Sequence, residues 1–233
     1  MPTRYNLIEA KHKYQYLSKS FNLSTSNGNV YDSGCVKVTK LLFPTIGAEE
    51  YQRIGNKINS VQLRVEYDLN LSSYQLQLLP STLSTAADPN FFMKFRVMLI
   101  DIVDKVDISQ QDAYDYFTNM FIYYSDGNQQ SNHVKSLRVS GPNTGNFSIL
   151  YDECFIIDTK HPFHHKAFNV KLANTLKFDG NQQTPENHNY YLWFIMPKYY
   201  YMDISQALQD QITALYDRTI EFKANLKLTW FDN

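Results

Sequence analysis

The sequence predicts an all-β fold, a single jelly-roll sandwich of about eight antiparallel strands with helical insertions in the loops. Three observations point there. Two long segments alternate apolar and polar residues with a period of two. Several shorter aromatic and β-branched runs lie between clusters of turn residues. Two helical patterns sit inside connections, without the strand–helix–strand alternation of a parallel sheet.

The strands follow in order. Residues 34–42 alternate at Val36 and Val38 against Lys37 and Thr39. Residues 58–71 set Val61, Leu63, Val65, Tyr67, Leu69 and Leu71 on one face, with Gln62, Arg64, Glu66, Asp68 and Asn70 on the other. Such a half-buried strand has a well-specified register. Residues 91–103 and 147–157 are aromatic and β-branched, residues 166–178 alternate at Phe168, Val170 and Leu172, and residues 190–196 are apolar on both faces. At the C-terminus, Ile220, Phe222, Ala224, Leu226, Leu228 and Trp230 alternate with Glu221, Lys223, Asn225, Lys227 and Thr229. The eighth strand has two candidates, residues 134–139 and 198–202. Asn27-Gly28-Asn29, Gly141-Pro142-Asn143, Gly145-Asn146 and Asp179-Gly180-Asn181 mark turns. The helical patterns are residues 108–121, opened by a capping box at Ser109 and Asp112, and residues 203–218, striped by Ile204, Leu208, Ile212 and Leu215. Residues 1–29 read as a partly basic N-terminal arm and 30–233 as the sandwich.

Composition narrows the function. The 233 residues include 18 Tyr, 15 Phe and 2 Trp, a load that excludes a mainly disordered chain. The net charge of −1 excludes a strongly basic nucleic-acid binder. No apolar run reaches the roughly 20 residues that span a bilayer, and the first residues lack the apolar segment of a secretory signal. Cys35 and Cys154 form neither a CxxC pair nor a disulfide framework. Charge is unevenly placed. Residues 1–60 hold eight Lys and Arg against four Asp and Glu, a net of +4, and residues 61–233 hold fourteen against nineteen, a net of −5.

No catalytic motif is present: the chain lacks GxSxG, a P-loop, GxGxxG and HExxH. The expectation is a protein that is not an enzyme and carries no cofactor or metal. His161, His164 and His165 cluster in HPFHH, where a turn at Pro162 leading into a strand outweighs a cupin-like metal site. Asp101, Asp104 and Asp107 lack the spacing of a calcium loop and read as solvated; Asp152-Glu153 is a further carboxylate pair, and the sequence does not show two carboxylates facing each other in a cleft. KHKYQY, residues 11–16, interleaves bases with aromatics, a pattern that can pair phosphates and stack bases.

The order of segments resembles a known family. Gln52 to Leu69 (QRIGNKINSVQLRVEYDL) resembles the R-x-G-N-K-I followed by a long alternating strand in capsid proteins of circovirus-like small circular single-stranded DNA viruses. Phe92 to Asp101, Phe147 to Ile157, Asn189 to Met196 and the last strand are similar to the family's later strands, in order. The resemblance spans about residues 30–231. It implies a coat protein of which sixty copies assemble into a T=1 icosahedral shell around a circular single-stranded DNA genome. That places the chain in a virion, and in the host nucleus or cytoplasm during assembly, with itself and the DNA as partners and no membrane insertion. The family begins with a dense Arg/Lys arm, whereas here the first twenty residues hold only Arg4, Lys11, Lys13 and Lys19. The candidate nucleic-acid-binding residues are Arg4, Lys11, Lys13, Lys37, Lys40, Arg53 and Lys57. Tyr199, Tyr200 and Tyr201 are candidates for the subunit interface, and Trp193 and Trp230 for the core. Two other readings stand beside this one: a jelly-roll carbohydrate- or receptor-binding module forming a small oligomer, and a cupin-like enzyme using His161, His164 or His165.

Overall fold

A computed structural model describes residues 10–22, 36–70, 92–102, 147–158, 161, 163–186, 188–195 and 219–232. They form eight strands: β1 (Lys11–Asn22), β2 (Val36–Lys40), β3 (Lys57–Asn70), β4 (Phe92–Ile102), β5 (Phe147–Asp158), β6 (Phe163–Lys177), β7 (Asn189–Ile195) and β8 (Thr219–Asp232). One sheet has the order β1-β8-β3-β6 and the other β2-β7-β4-β5. Every pairing is antiparallel. Each step along the chain crosses from one sheet to the other except β4 to β5, which pair within the second sheet. This is the two-sheet jelly roll that the alternating segments predict.

Seven strands lie where the sequence pattern places them. The eighth is β1, within the segment read as an arm. Its inward positions, set by pairing with β8, include Lys11, Lys13 and Gln15, so the strand carries no apolar alternation in its first half. Residues 134–139 and 198–202 and both helical patterns lie outside the described residues. β6 begins three residues earlier than its pattern, at Phe163.

The two sheets bury different amounts of themselves. In β3 and β8 one face is buried and the other reaches solvent, as their strict alternation requires. In β7 every residue is buried. The core between the sheets takes Val97, Leu99, Leu192 and Phe194, while Met98, Ile100, Tyr191 and Trp193 are buried on the other face of the second sheet.

Five rings link the sheets in a closed circuit. Phe155 of β5 stacks on Phe95 of β4 at 5.6 Å, and Phe95 on Phe194 of β7 at 5.6 Å. Phe194 crosses the interior to Phe222 of β8 at 4.3 Å. Phe222 meets Tyr67 of β3 at 5.6 Å, and Tyr67 returns to Phe155 at 6.1 Å. Each such pair adds about 0.5–1.5 kcal/mol beyond the burial of its area. Phe194 therefore holds two neighbours and bridges both sheets. Phe194→Ala is expected to cost about 3–5 kcal/mol in urea unfolding, and Phe194→Leu clearly less, because leucine refills most of the volume.

Candidate functional site

The segment between β2 and β3 is built around Arg53. This residue is 0% exposed, and its Nε donates to the Pro44 carbonyl at 3.1 Å. Its Nη1 donates to the Gly55 carbonyl, and Nη2 to the carbonyls of Gly180 and Gln182. The guanidinium lies 4.4 Å from the centre of the Phe178 ring. Burial lowers its pKa from the usual value, and the nearby charge of Asp232 acts the other way. Gly55 supplies a backbone with φ of +77°. Gly47 is packed so closely that a Cβ there would meet the Gln52 side chain at 1.7 Å. The R-x-G-N-K-I motif is thus a loop clamp, and the assignment of Arg53 as a nucleic-acid-binding base is corrected: its donors are occupied by carbonyls inside the protein.

The KHKYQY segment is divided by the strand period. Lys11 and Lys13 turn inward, and His12, Tyr14 and Tyr16 turn outward. Lys11 Nζ donates to the Gln52 carbonyl at 2.9 Å and pairs with Asp232 at 2.8 Å. Lys13 Nζ donates to the Phe43 carbonyl at 2.8 Å, and burial lowers its pKa from the usual value. The Leu42 N–H donates to Gln15 Oε1 at 3.3 Å. These side chains latch β1 onto residues 42–52. Lys40 is half-buried at the end of β2, and Lys37 lies on β2 opposite Phe194. Lys57 is exposed at the start of β3. Arg4, Tyr199, Tyr200 and Tyr201 lie outside the described residues.

The outward face of the β1-β8-β3-β6 sheet carries the charge pattern that the candidate bases only touch. Pairing registers set its cross-strand rows. Lys57 lies opposite Lys177, and Asn59 between Phe231 and Thr175. The next rows are His12–Thr229–Gln62–Lys171 and Tyr14–Lys227–Arg64–Asn169. These four rows hold Lys57, Lys177, Lys171, Lys227 and Arg64 and no carboxylate. The following rows, Tyr16–Asn225–Glu66–Ala167 and Ser18–Lys223–Asp68–His165, and then the Glu221–Asn70–Phe163 row, hold all three carboxylates of the face. Those carboxylates meet cationic or histidine partners: Lys223–Glu221 at 2.7 Å, His165–Asp68 at 2.6 Å and Arg64–Glu66 at 3.9 Å across the boundary. The face is therefore basic toward one end and mixed toward the other. A Ser60 backbone with φ of +50°, at the irregularity in β3, keeps Lys57 and Asn59 on the same side as Gln62.

Four of these five cations were not singled out from sequence. Arg64 and Lys227 stand on the polar side of the two clearest strands, but which strands are neighbours is set by the topology and not by either pattern alone.

At the opposite edges, β5 and β6 are joined through Glu153. The hydroxyls of Tyr67 and Tyr151 donate to Glu153 Oε2, the former at 3.0 Å, and Lys166 Nζ donates to Oε1 at 3.0 Å. Tyr151 stacks on Phe168 and His164 on Phe155, at 3.5 and 3.8 Å. Asp152 pairs with buried Arg96 through bonds of 2.7 and 2.5 Å. Asp101 is buried and lies 2.8 Å from His188 Nδ1. Asp101, expected from sequence to be solvated, is instead buried, while Asp152 is exposed and Glu153 half-buried. Asp104 and Asp107 lie outside the described residues. His165 faces outward toward Asp68, while His164 faces inward. Among the described residues no three His, Cys, Asp or Glu side chains converge as a metal site would need.

No protein-family model matches this chain, and no curated protein is similar to it. Among solved structures it is similar to one described as a decameric BFDV capsid protein, with a TM-score of 0.35 and 9% identity over 96% of this chain and 99% of that one.

Two outcomes follow from this geometry. Arg53→Ala strands several buried carbonyls, each worth about 1–3 kcal/mol, so thermal or urea unfolding should show a loss of roughly 3 kcal/mol or more. Glu153 would be raised by burial, but bonds from Tyr151, Lys166 and Tyr67 leave its pKa below the ordinary 4.5. A depressed carboxyl contributes stability above its unfolded pKa and loses it as pH falls through the folded one. Acid unfolding of the wild type should therefore steepen below about pH 4.5, and Glu153→Gln should flatten that limb. Nearby His164, whose pKa burial lowers, also gains a proton on acidification, so His164→Gln is the control that isolates the carboxyl.

Proposed function

We propose that this chain is the shell-forming subunit of a small virus, a coat protein that assembles into a T=1 icosahedral capsid around a circular single-stranded DNA genome. One observation carries the reading. The segments that resemble circovirus-like capsid proteins fall, in sequence order, on β3, β4, β5, β7 and β8 of an eight-stranded jelly roll, an architecture shared by many viral capsid domains. The first of those segments, R-x-G-N-K-I, has a physical role in that fold as the Arg53 clamp. The role is structural and not catalytic, its partners are further copies of itself and the genome, and its place is the virion.

The clamped loop also supports a subunit contact. Ile46, Tyr51 and Ile54 are 39%, 56% and 59% exposed on a segment whose backbone is held by Arg53, Asn181 and Asp232. Apolar side chains on a rigid, exposed loop lose little entropy on docking, which is what an assembly contact needs.

Electron microscopy with light scattering tests the reading. Sixty copies of a 27.3 kDa chain make a particle of about 1.6 MDa and about 20 nm across. A stable monomer across salt and protein concentration would overturn it. Tyr51→Ser with Ile54→Ser is expected to reduce particle yield while leaving the unfolding midpoint nearly unchanged, because both side chains are exposed in the single subunit.

A further inference from the structure

We infer that the carboxylate-free end of the outward face of the β1-β8-β3-β6 sheet binds single-stranded nucleic acid. The surface comprises Lys57, Arg64, Lys171, Lys177 and Lys227, with Tyr14 at its margin.

Charge complementarity is the first argument. Strands in a sheet lie about 4.8 Å apart, and same-face residues along a strand about 6.8 Å apart. The five cations thus occupy a compact patch two to three strands wide. Proteins with this overall composition normally intersperse the two signs. Here Glu66, Asp68 and Glu221 are all displaced to the other end of the same face. Within the patch the remaining outward positions include Gln62, Asn59, Thr175, Thr229 and Asn169, which can hydrogen-bond to phosphate, sugar or base edges without adding negative charge. Arg64 reaches one carboxylate, Glu66, at 3.9 Å. At the far margin the turn after β6 carries exposed Asp179 and Glu186, which bound the patch on that side.

Aromatic exposure is the second argument, and it selects the class of polyanion. Tyr14 is 69% exposed and Tyr16 60% exposed, both on the outer side of β1. Lys227 Nζ sits over the Tyr14 ring, 5.6 Å from its centre, so a cation and a largely exposed ring stand together. A ring beside a cation lets an unpaired base stack while its phosphate is neutralised, a pairing that single strands use and duplexes do not. A sulfated polysaccharide is held chiefly by the cations and has no planar base to stack on the ring.

The patch is shared by four strands far apart in sequence. It accordingly has no dense basic run, the signal by which a nucleic-acid arm is usually recognised. The binding itself stands on this face alone; only its direction, toward the inside of a shell, rests on the capsid reading.

The test is fluorescence anisotropy of labelled oligothymidylate with the purified full chain, at several salt concentrations, beside a duplex of the same length and heparin oligosaccharide. Light scattering on the same samples reports particle formation separately, so a failed shell and a failed binding face are told apart. The double variant Arg64→Glu, Lys227→Glu is expected to weaken binding at least about tenfold and to lower the salt slope by about 1.4, two contacts at about 0.7 each. Lys223→Glu, on the same face but in the mixed end, should leave binding unchanged. Tyr14→Ala should weaken single-strand binding roughly fivefold or more and leave duplex binding alone. Should the double reversal fail to fold, Arg64→Gln with Lys227→Gln removes the same contacts more mildly. Wild-type affinity in a folded double variant overturns the inference. So does heparin binding as tight as the oligonucleotide and insensitive to Tyr14, which would make the patch a polysaccharide surface.

Discussion

The aromatic circuit through the interior is the contact on which the remaining geometry depends. Two sheets stacked about 10 Å apart share no backbone hydrogen bonds and are joined by side chains alone. Phe194 and Phe222, at 4.3 Å, make that junction directly, and Tyr67 with Phe155 makes it a second time. The closed arrangement ties β3, β4, β5, β7 and β8 into one body. It sets which face of β3 and β8 points inward, and therefore which residues reach solvent on the other side. The row that places Lys227 beside Arg64 is a downstream result of where Leu226, Leu228, Leu63 and Val65 had to go.

At the other end of the sandwich polar chemistry joins aromatic packing, with Phe43 against Phe178 and Tyr190, beside the Arg53 guanidinium. Arg53 collects carbonyls from three places in the chain, and Lys11 and Lys13 reach from β1 to the same stretch. Buried cations normally carry a large desolvation cost unless every donor is used. Here the donors terminate on backbone oxygens that the irregular segment after β2 and the turn after β6 would otherwise leave unmet. A loop needs such partners because it has no ladder of its own. The same bonds hold Tyr51 and Ile54 outward, so a polar interior cluster positions an apolar exterior one.

Much of this fold was legible in the sequence because Val61 to Leu71 and Ile220 to Trp230 follow the two-residue period without exception. Strand β1 was not, because its inward positions begin with Lys11, Lys13 and Gln15, and a pattern search reads a lysine as an outward residue. Burial of a lysine stem with its ammonium on a carbonyl leaves no mark in composition. The charged patch was illegible for another reason. Lys57, Arg64, Lys171, Lys177 and Lys227 span 170 positions, and only the order β8-β3-β6 makes them neighbours. The candidate bases taken from the first sixty residues divided accordingly: Lys57 reached the patch, Lys11 and Lys13 turned inward, and Arg53 was enclosed.

The placement of β8 has a consequence for synthesis. Among the described strands it is the last to emerge, yet it lies between β1, the first of them, and β3. Until it arrives, β1 has no ladder to join and β3 presents an unpaired margin along its length. The first sheet therefore cannot close before β8 has emerged, and the pairings it waits for join residues roughly two hundred positions apart. Such long-range closure is slow by nature, and the open margin is the stretch most apt to pair with a neighbouring nascent chain.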